Sequence, residues 1–442
     1  MLITNARLVN EGTITEADLL IRNGRIQRIA PQITAPPGHA VHDAAGALLM
    51  PGMIDDQVHF REPGLTHKGD LATESRAAVA GGITSFMEMP NTRPQTSTRE
   101  ALAEKYRNAS GRSAANYAFY MGATNDNLDE IKALRPGEAC GVKVFMGAST
   151  GNMLVDAPKV LDGIFSSTPY LVATHCEDTP TIMANEAAWR KRYGDAIPIT
   201  AHPKIRSHES CWLSSSMAVG LAKRHGTKLH VLHLTTAREM ALFEPGPIES
   251  KQITAEACVH HLWFDESRYP DLGTRIKCNP SVKSAADREA LVKAVREDRI
   301  DIIATDHAPH TAEEKANPSY FKAPAGLPLV EHALLVALEL AARGELDLAT
   351  VVRKTSHAPA IRYQVAERGF LREGYWADLV LVDDRQTTEV RDDNCRAKCR
   401  WTPFHGQRFS HRIAATWVNG ERVFDGRSVA EPVRGRRLDF DH

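Results

Sequence analysis

The chain has 442 residues, 43% of them hydrophobic and 25% charged, values close to those of an ordinary folded protein. Its 54 basic and 55 acidic side chains leave a formal charge of −1, so no global basic field exists to hold nucleic acid or an anionic membrane. The seven Cys residues show no CxxC spacing, the N-terminus Met1–Arg7 lacks a secretory pattern, and no apolar run reaches the roughly 18–20 residues of a membrane span. A chain working in the reducing cytoplasm on a small-molecule substrate is expected, with no nucleic-acid or membrane partner and a homodimer as the default closed assembly.

The first fifty residues read as short strands, Leu2–Val9, Ala17–Ile21 and Arg25–Ile29, with an Asn23-Gly24 turn between the last two. The same texture returns at Asp378–Asp383 and Ala414–Val423. Two such pieces are marginal alone, so they are expected to pair into one small β-sandwich built from both chain ends, residues 1–50 and 361–442. Between them lies a long alternation of strand and helix over residues 51–360. Strands are expected at residues 52–58, 83–89, 141–146, 170–174, 228–233, 251–257, 274–279 and 301–305. Helices are expected at Lys68–Ala80, Arg99–Ala109, Thr181–Tyr193, Glu209–His225 and Ala286–Glu297. Eight strands favour an α/β fold of the (β/α)8 TIM-barrel type over a doubly wound sheet. No GxGxxG follows the first strand.

The strand ends carry the chemistry. His59, His175, His233 and Asp306 each close a separate apolar run. A lone histidine is most often a satisfied core residue. Three imidazoles and a carboxylate at equivalent strand ends instead suit a divalent metal that needs N and O ligands converging from different strands. His230, three residues before His233, reads as structural or as support for a ligand. Lys143 sits within the apolar run Gly141–Gly147, where burial disfavours its cationic form. One reading is a lysine paired with a carboxylate. The other is a neutral amine that has captured CO2 as a carbamate and so become an anionic ligand able to bridge metals.

The segments Pro51–Gly64, Met89–Thr92, Gly141–Gly147, Thr174–Glu177, His230–Thr235, Thr254–Glu256 with His260–Leu262, Lys277–Pro280 and Ala304–His310 resemble the amidohydrolase superfamily, and within it the dihydroorotases. The likeness runs almost end to end and includes Gly374–Val380 and Trp401–Phe404. Arg61-Glu62-Pro63-Gly64 with Asn91, Asn279 and His310 is its more specific part. The resemblance implies a zinc hydrolase that interconverts N-carbamoyl-L-aspartate and L-dihydroorotate in pyrimidine biosynthesis. It implies His59, His175, His233 and Asp306 as metal ligands, a carbamylated Lys143 between metals, and Asp306 as the catalytic acid and base. It gives Arg61, Asn91, Asn279 and His310 to substrate, with backbone contacts from Ala325 and Gly326.

One position departs from that pattern, because Gln57-Val58-His59 stands where the superfamily has His-x-His. A carboxamide is a poorer zinc ligand than imidazole, so one tight zinc and a doubtful second are expected, with Gln57 free to bond water or substrate. The rival enzymatic readings are allantoinase and dihydropyrimidinase. They share the metal logic, and Arg61, suited to a substrate carboxylate, separates them. A non-catalytic homologue kept as a partner protein would rest on Gln57 alone.

Overall fold

The computed structural model describes residues 1–147 and 153–441. Eight short strands form the barrel: β1 (Met53–Val58), β2 (Ile83–Glu88), β3 (Asn116–Phe119), β4 (Val142–Phe145), β5 (Val172–His175), β6 (Leu229–Val231), β7 (Ile253–Cys258) and β8 (Ile302–Ala304). Neighbours pair in parallel from β1 to β3 and from β4 to β8. Met121–Gly122, just beyond β3, pairs with β4. The ring closes where Val58 bridges His307 and the His59 amide donates to the His307 carbonyl at 2.7 Å. Strands buried on both faces read as unbroken apolar runs rather than alternations, which is why most were visible in the sequence.

One expected strand is wrong. Residues 274–279 are not in the barrel: Gly273–Ile276 is a 3-10 turn, and Lys277 folds inward so that its ammonium donates to the Ala323 carbonyl at 2.7 Å. The alternation of Ile276 and Cys278 with polar neighbours mimicked a strand, but both are buried beneath a loop. The true member, β3, was masked by the polar Asn116 at its start. That side chain is buried and donates to Asp378 at 3.0 Å while accepting from Asn419 at 2.8 Å, so it ties barrel to sandwich.

The expected helices are present within three residues at each end. Leu71–Ala80 starts at Asp70, whose carboxylate accepts from the Thr73 amide while the Thr73 hydroxyl accepts from the Asp70 amide. Ala285–Arg296 starts with the same reciprocal pair, Ser284 and Asp287. His208–His225 ends on Gly226 in the left-handed conformation at φ +72°.

Both chain ends share one hydrogen-bonded sheet, running from Glu421–Phe424 through Arg412–Val418, Leu379–Asp383, Leu48–Pro51 and Leu2–Asn10 to Thr13–Arg22 and Arg25–Ala30. Leu48–Pro51 joins the halves, parallel to the first strand and antiparallel to Leu379–Asp383. The sheet curls until its far edge returns: the Tyr375 carbonyl accepts from Ile26, and Gly24 comes so close to Asn419 that a Cβ there would lie 2.7 Å from its carbonyl. Ile3, Leu19, Leu49, Leu379 and Trp417 fill the core between the two halves. The architecture is a TIM-type barrel with a β-sandwich from both termini. Among the described residues no helix is long and apolar enough to cross a membrane.

Candidate active site

Gln57, His59, Arg61, Lys143, His175, His233, Asn279, Asp306, Ala325 and Gly326 line one cavity of about 30 Å³ at the C-terminal ends of the strands. That face is where barrels of this kind gather side chains from separate strands. His59 follows β1, Lys143 lies in β4, His175 ends β5, and His233 and Asp306 stand two residues beyond β6 and β8. Arg61 (φ +71°), His233 (φ +37°) and Asp306 (φ +51°) occupy the left-handed backbone region without being glycine. Such conformations cost energy in an L-residue and concentrate where side-chain direction matters more than local comfort.

Two imidazoles meet head to head. His175 Nε2 lies 3.1 Å from Glu177 and donates to it, which leaves a lone pair on Nδ1; that atom faces His233 Nε2 at 3.0 Å. Two nitrogens bound to one tetrahedral zinc stand roughly 3.3 Å apart, given bonds of about 2.0–2.1 Å. Glu177 is fully buried, yet Arg206 and then His175 hold its carboxyl down at about 2. This carboxylate behind a histidine fixes tautomer and ring direction. His59 is clamped likewise, with Nδ1 against Asn91 Oδ1 at 2.8 Å and Nε2 against Asp306 Oδ1 at 3.0 Å. Gln57 Nε2 donates to the same Asp306 oxygen at 3.2 Å. The carboxamide nitrogen is thus tied to a side chain of the site.

Lys143 is 1% exposed, and among the described residues its Nζ has no hydrogen-bond partner. It lies 4.6 Å from the centre of the Phe145 ring. Burial brings its pKa down to about 8, opposed chiefly by Asp306 and Glu256. Burial also lowers His59 and His175, and takes His233 well below the usual imidazole range. The pocket therefore presents neutral imidazoles, a carboxylate and an unsatisfied amine, with no ion pair to Lys143 among the described residues. A divalent cation fits this donor set. A carbamate would turn the one misfit, the orphaned Nζ, into an anionic oxygen donor.

The same cavity also holds a buried cation. Arg61, 4% exposed, donates from Nε to the Pro309 carbonyl at 3.0 Å, and its Nη2 lies 3.1 Å from His310 Nε2. Lys68 donates to His310 Nδ1 at 3.0 Å, so Nε2 carries the ring proton and donates to the Ala325 carbonyl at 3.0 Å. Burial, then Arg61 and Lys68, keeps His310 neutral. Gly326 has φ +140°, and a Cβ there would lie 2.5 Å from the Ala308 carbonyl. Asn279 Oδ1 is buried without a hydrogen bond among the described residues. Asn91 and His310 stand one step behind the cavity, holding His59 and backing Arg61.

Sequence reasoning assigned no role to Glu177, Arg206, Asp56 or Glu256. The His-x-Glu spacing at the end of β5 was the available signal for Glu177. Below the cavity, His230 Nε2 stands 3.2 Å from Asp56 and 3.7 Å from Glu256, all three fully buried, and Glu256 accepts from the His233 amide at 3.0 Å. His230 thus supports the layer above it, as read from its position. A larger cavity of about 620 Å³ lies elsewhere, between Arg353, His357 and Phe370. Several of its charges are already paired, Arg353 and Lys354 with Asp298 and Arg372 with Glu11, and it holds none of the strand-end residues.

A model of the amidohydrolase family matches residues 48–423. A dihydroorotase of Halobacterium salinarum is 35% identical over 427 residues, covering 93% of this chain and 97% of that protein. An allantoinase of Bacillus velezensis is 29% identical over 429 residues, covering 96% and 94%. Among solved structures, the L-hydantoinase (dihydropyrimidinase) of Arthrobacter aurescens superposes with a TM-score of 0.94 at 27% identity, covering 99% of each chain.

Proposed function

Because the chain belongs to the amidohydrolase family, we propose that it is a metal-dependent cyclic amidohydrolase that carries out the dihydroorotase reaction, the reversible closure of N-carbamoyl-L-aspartate to L-dihydroorotate. The observation that carries this reading is Arg61, a buried guanidinium lining the same cavity as the imidazoles, which suits a substrate bearing a carboxylate. Allantoin, hydantoin and dihydrouracil carry no such group. Relatives named dihydroorotase recur among archaea and bacteria at about this similarity.

His59, His175, His233, Asp306 and a carbamylated Lys143 hold the metal in this reading, with zinc the ion that suits imidazole and carboxylate donors. When bound, the metal supplies Lewis-acid polarisation of the ring carbonyl and acidification of water. Lys143 reacts as the free amine: Nζ forms a bond to the carbon of CO2 and releases a proton, leaving an anionic carbamate. Arg61 takes the substrate carboxylate, Asn279 orients the ring while Asn91 steadies His59 from behind, and the backbone of Ala325 and Gly326 meets its polar edge. Asp306 accepts the proton of the attacking water and returns it to the departing ring nitrogen. Closure uses the same groups in reverse order.

One tight metal and a weaker second follow from Gln57. Barrel residues 51–360 hold all of these groups, with residues 1–50 and 361–442 as the sandwich. We place the reaction in cytoplasmic pyrimidine biosynthesis and take a homodimer as the working assembly. The test is metal analysis of purified protein with spectrophotometric assay of dihydroorotate, allantoin and dihydrouracil side by side. Turnover of dihydroorotate alone is expected. Preference for either of the others would overturn the assignment.

A further inference from the structure

Beside Gln57 stands a second group of metal-type side chains that the proposed reaction does not use. Cys258 ends β7, and the short helix Val259–Trp263 that follows carries His260 and His261. One donor atom from each of the three lies within 4.8 Å of the other two, and the residues are respectively 0%, 1% and 3% exposed. His261 Nε2 lies 3.1 Å from the Pro280 carbonyl and donates to it, so the ring proton is fixed there and Nδ1 keeps its lone pair. That Nδ1, and both ring nitrogens of His260, have no hydrogen-bond partner among the described residues.

Nothing in the local packing explains this arrangement. Buried polar atoms normally find a partner, and three orphaned imidazole nitrogens on two stacked rings, 3.9 Å between centroids, are unusual. Burial and the closeness of the two rings hold both histidines neutral, the form that ligates metal. The Cys258 thiol has only weak contacts, 3.4 Å to Glu256 Oε1 and 3.8 Å to Gln57 Oε1. The Gln57 oxygen is thus at the spacing two ligands of one zinc keep, roughly 3.6 Å for bonds of about 2.3 Å to sulfur and 2.0–2.1 Å to oxygen.

We propose that Cys258, His260 and His261 form a binding site for a soft or borderline divalent ion of the zinc type, separate from the strand-end centre, with the Gln57 carboxamide oxygen as its nearest further donor. One thiolate and two neutral imidazoles are a zinc donor set, whereas magnesium and calcium require oxygen. On binding, the sulfur–metal bond forms as the thiol proton leaves to solvent. The site gives Gln57 a role on its other side: Nε2 bonds Asp306 while Oε1 faces the sulfur ion, so the residue that weakens one metal position borders another. It does not depend on which cyclic amide the enzyme opens.

Cobalt(II) separates the two centres, because only a sulfur ligand gives a thiolate-to-cobalt charge-transfer band in the near ultraviolet. Purified full-length protein exchanged into cobalt is expected to show that band in the wild type and in Lys143→Ala, and to lose it in Cys258→Ser and His260→Gln. Metal analysis of the zinc form is expected to fall by about one ion per chain in Cys258→Ser, with the strand-end metal retained. Wild-type protein that binds cobalt without the thiolate band would overturn the proposal, and this reading needs no variant to fold. A metal count unchanged in folded Cys258→Ser would overturn it as well. Loss of the band in Lys143→Ala together with Cys258→Ser would show one merged centre instead of two.

Discussion

Replacing Arg61 by Met tests the assignment of substrate most directly. The side chain is buried at the cavity wall and offers its remaining N–H groups to a carboxylate. Two hydrogen bonds involving charged partners are worth about 1.5–3 kcal/mol each, so losing both costs roughly 3–6 kcal/mol of transition-state binding. At about 1.4 kcal/mol per decade this is a fall in kcat/KM of roughly 10²–10⁴-fold. Met carries a similar unbranched stem and meets the same strain at φ +71°, so the backbone term largely cancels. The variant also strands the Pro309 carbonyl that Arg61 Nε now satisfies. A stability loss of about 1–3 kcal/mol is expected from that orphan, to be read separately by thermal melting. Metal content should not change, since Arg61 is not among the proposed ligands. The assay is initial rate on dihydroorotate by absorbance, beside metal analysis on the same preparation. A loss under about tenfold, with metal retained, would refute the pairing of Arg61 with a substrate carboxylate.

Four further outcomes follow from the same geometry. Lys143→Ala should lose strand-end metal and activity together and regain part of both with a short added carboxylic acid; full metal occupancy without rescue would exclude the bridging carbamate. Only the neutral amine takes up CO2, so with the Lys143 pKa at about 8 reactivation of apoenzyme at a fixed concentration of dissolved CO2 should rise about tenfold per pH unit below 8 and level off above it; a rate flat from pH 6 to about 9 at constant CO2 would contradict this. Glu177→Gln removes the charge that orients His175 and should weaken metal binding roughly 10–100-fold, measured by competition with a chelator, and unchanged affinity would show that the Glu177 charge is dispensable. In a Cys258→Ser background, which removes the sulfur site from the count, Gln57→His should raise the tightly held strand-end metal from one towards two per chain, whether or not turnover changes.

What the sequence made legible were features that repeat along the chain. Fully buried parallel strands leave uniform apolar runs, and helices such as Arg99–Ala109 begin at a side chain that caps them, here Thr98, so both announce themselves locally. The residues at strand ends were equally plain, because polar ligand types interrupt apolar runs there. Strand β3 failed this test: its Asn116 is satisfied by Asp378 and Asn419, more than 250 residues away in sequence, and no local pattern encodes that partnership. Residues 274–279 failed in the opposite sense, since the alternation of a strand and the inward face of a buried loop look alike over six residues. Lys277 could be read as a strand residue only while the Tyr320 and Ala323 carbonyls that receive its ammonium were out of view.

The likeness in fold does not choose among cyclic amides. A hydantoinase superposes at a TM-score of 0.94, so the frame that positions three imidazoles and Asp306 is common ground for enzymes with different substrates. In the proposed reaction the discrimination falls to the wall made by Arg61, Lys68, His310 and Ala325. These four are linked, since Lys68 sets the His310 tautomer, His310 bonds the Ala325 carbonyl, and Arg61 packs against the same ring. The guanidinium is held by the bond from its Nε to the Pro309 carbonyl and flanked by a His310 ring whose tautomer Lys68 fixes, so it is already oriented before substrate arrives, which keeps the cost of ordering it out of the binding step. Altering Lys68 should therefore weaken substrate binding without touching metal, through a residue that reaches the carboxylate only by way of the His310 ring.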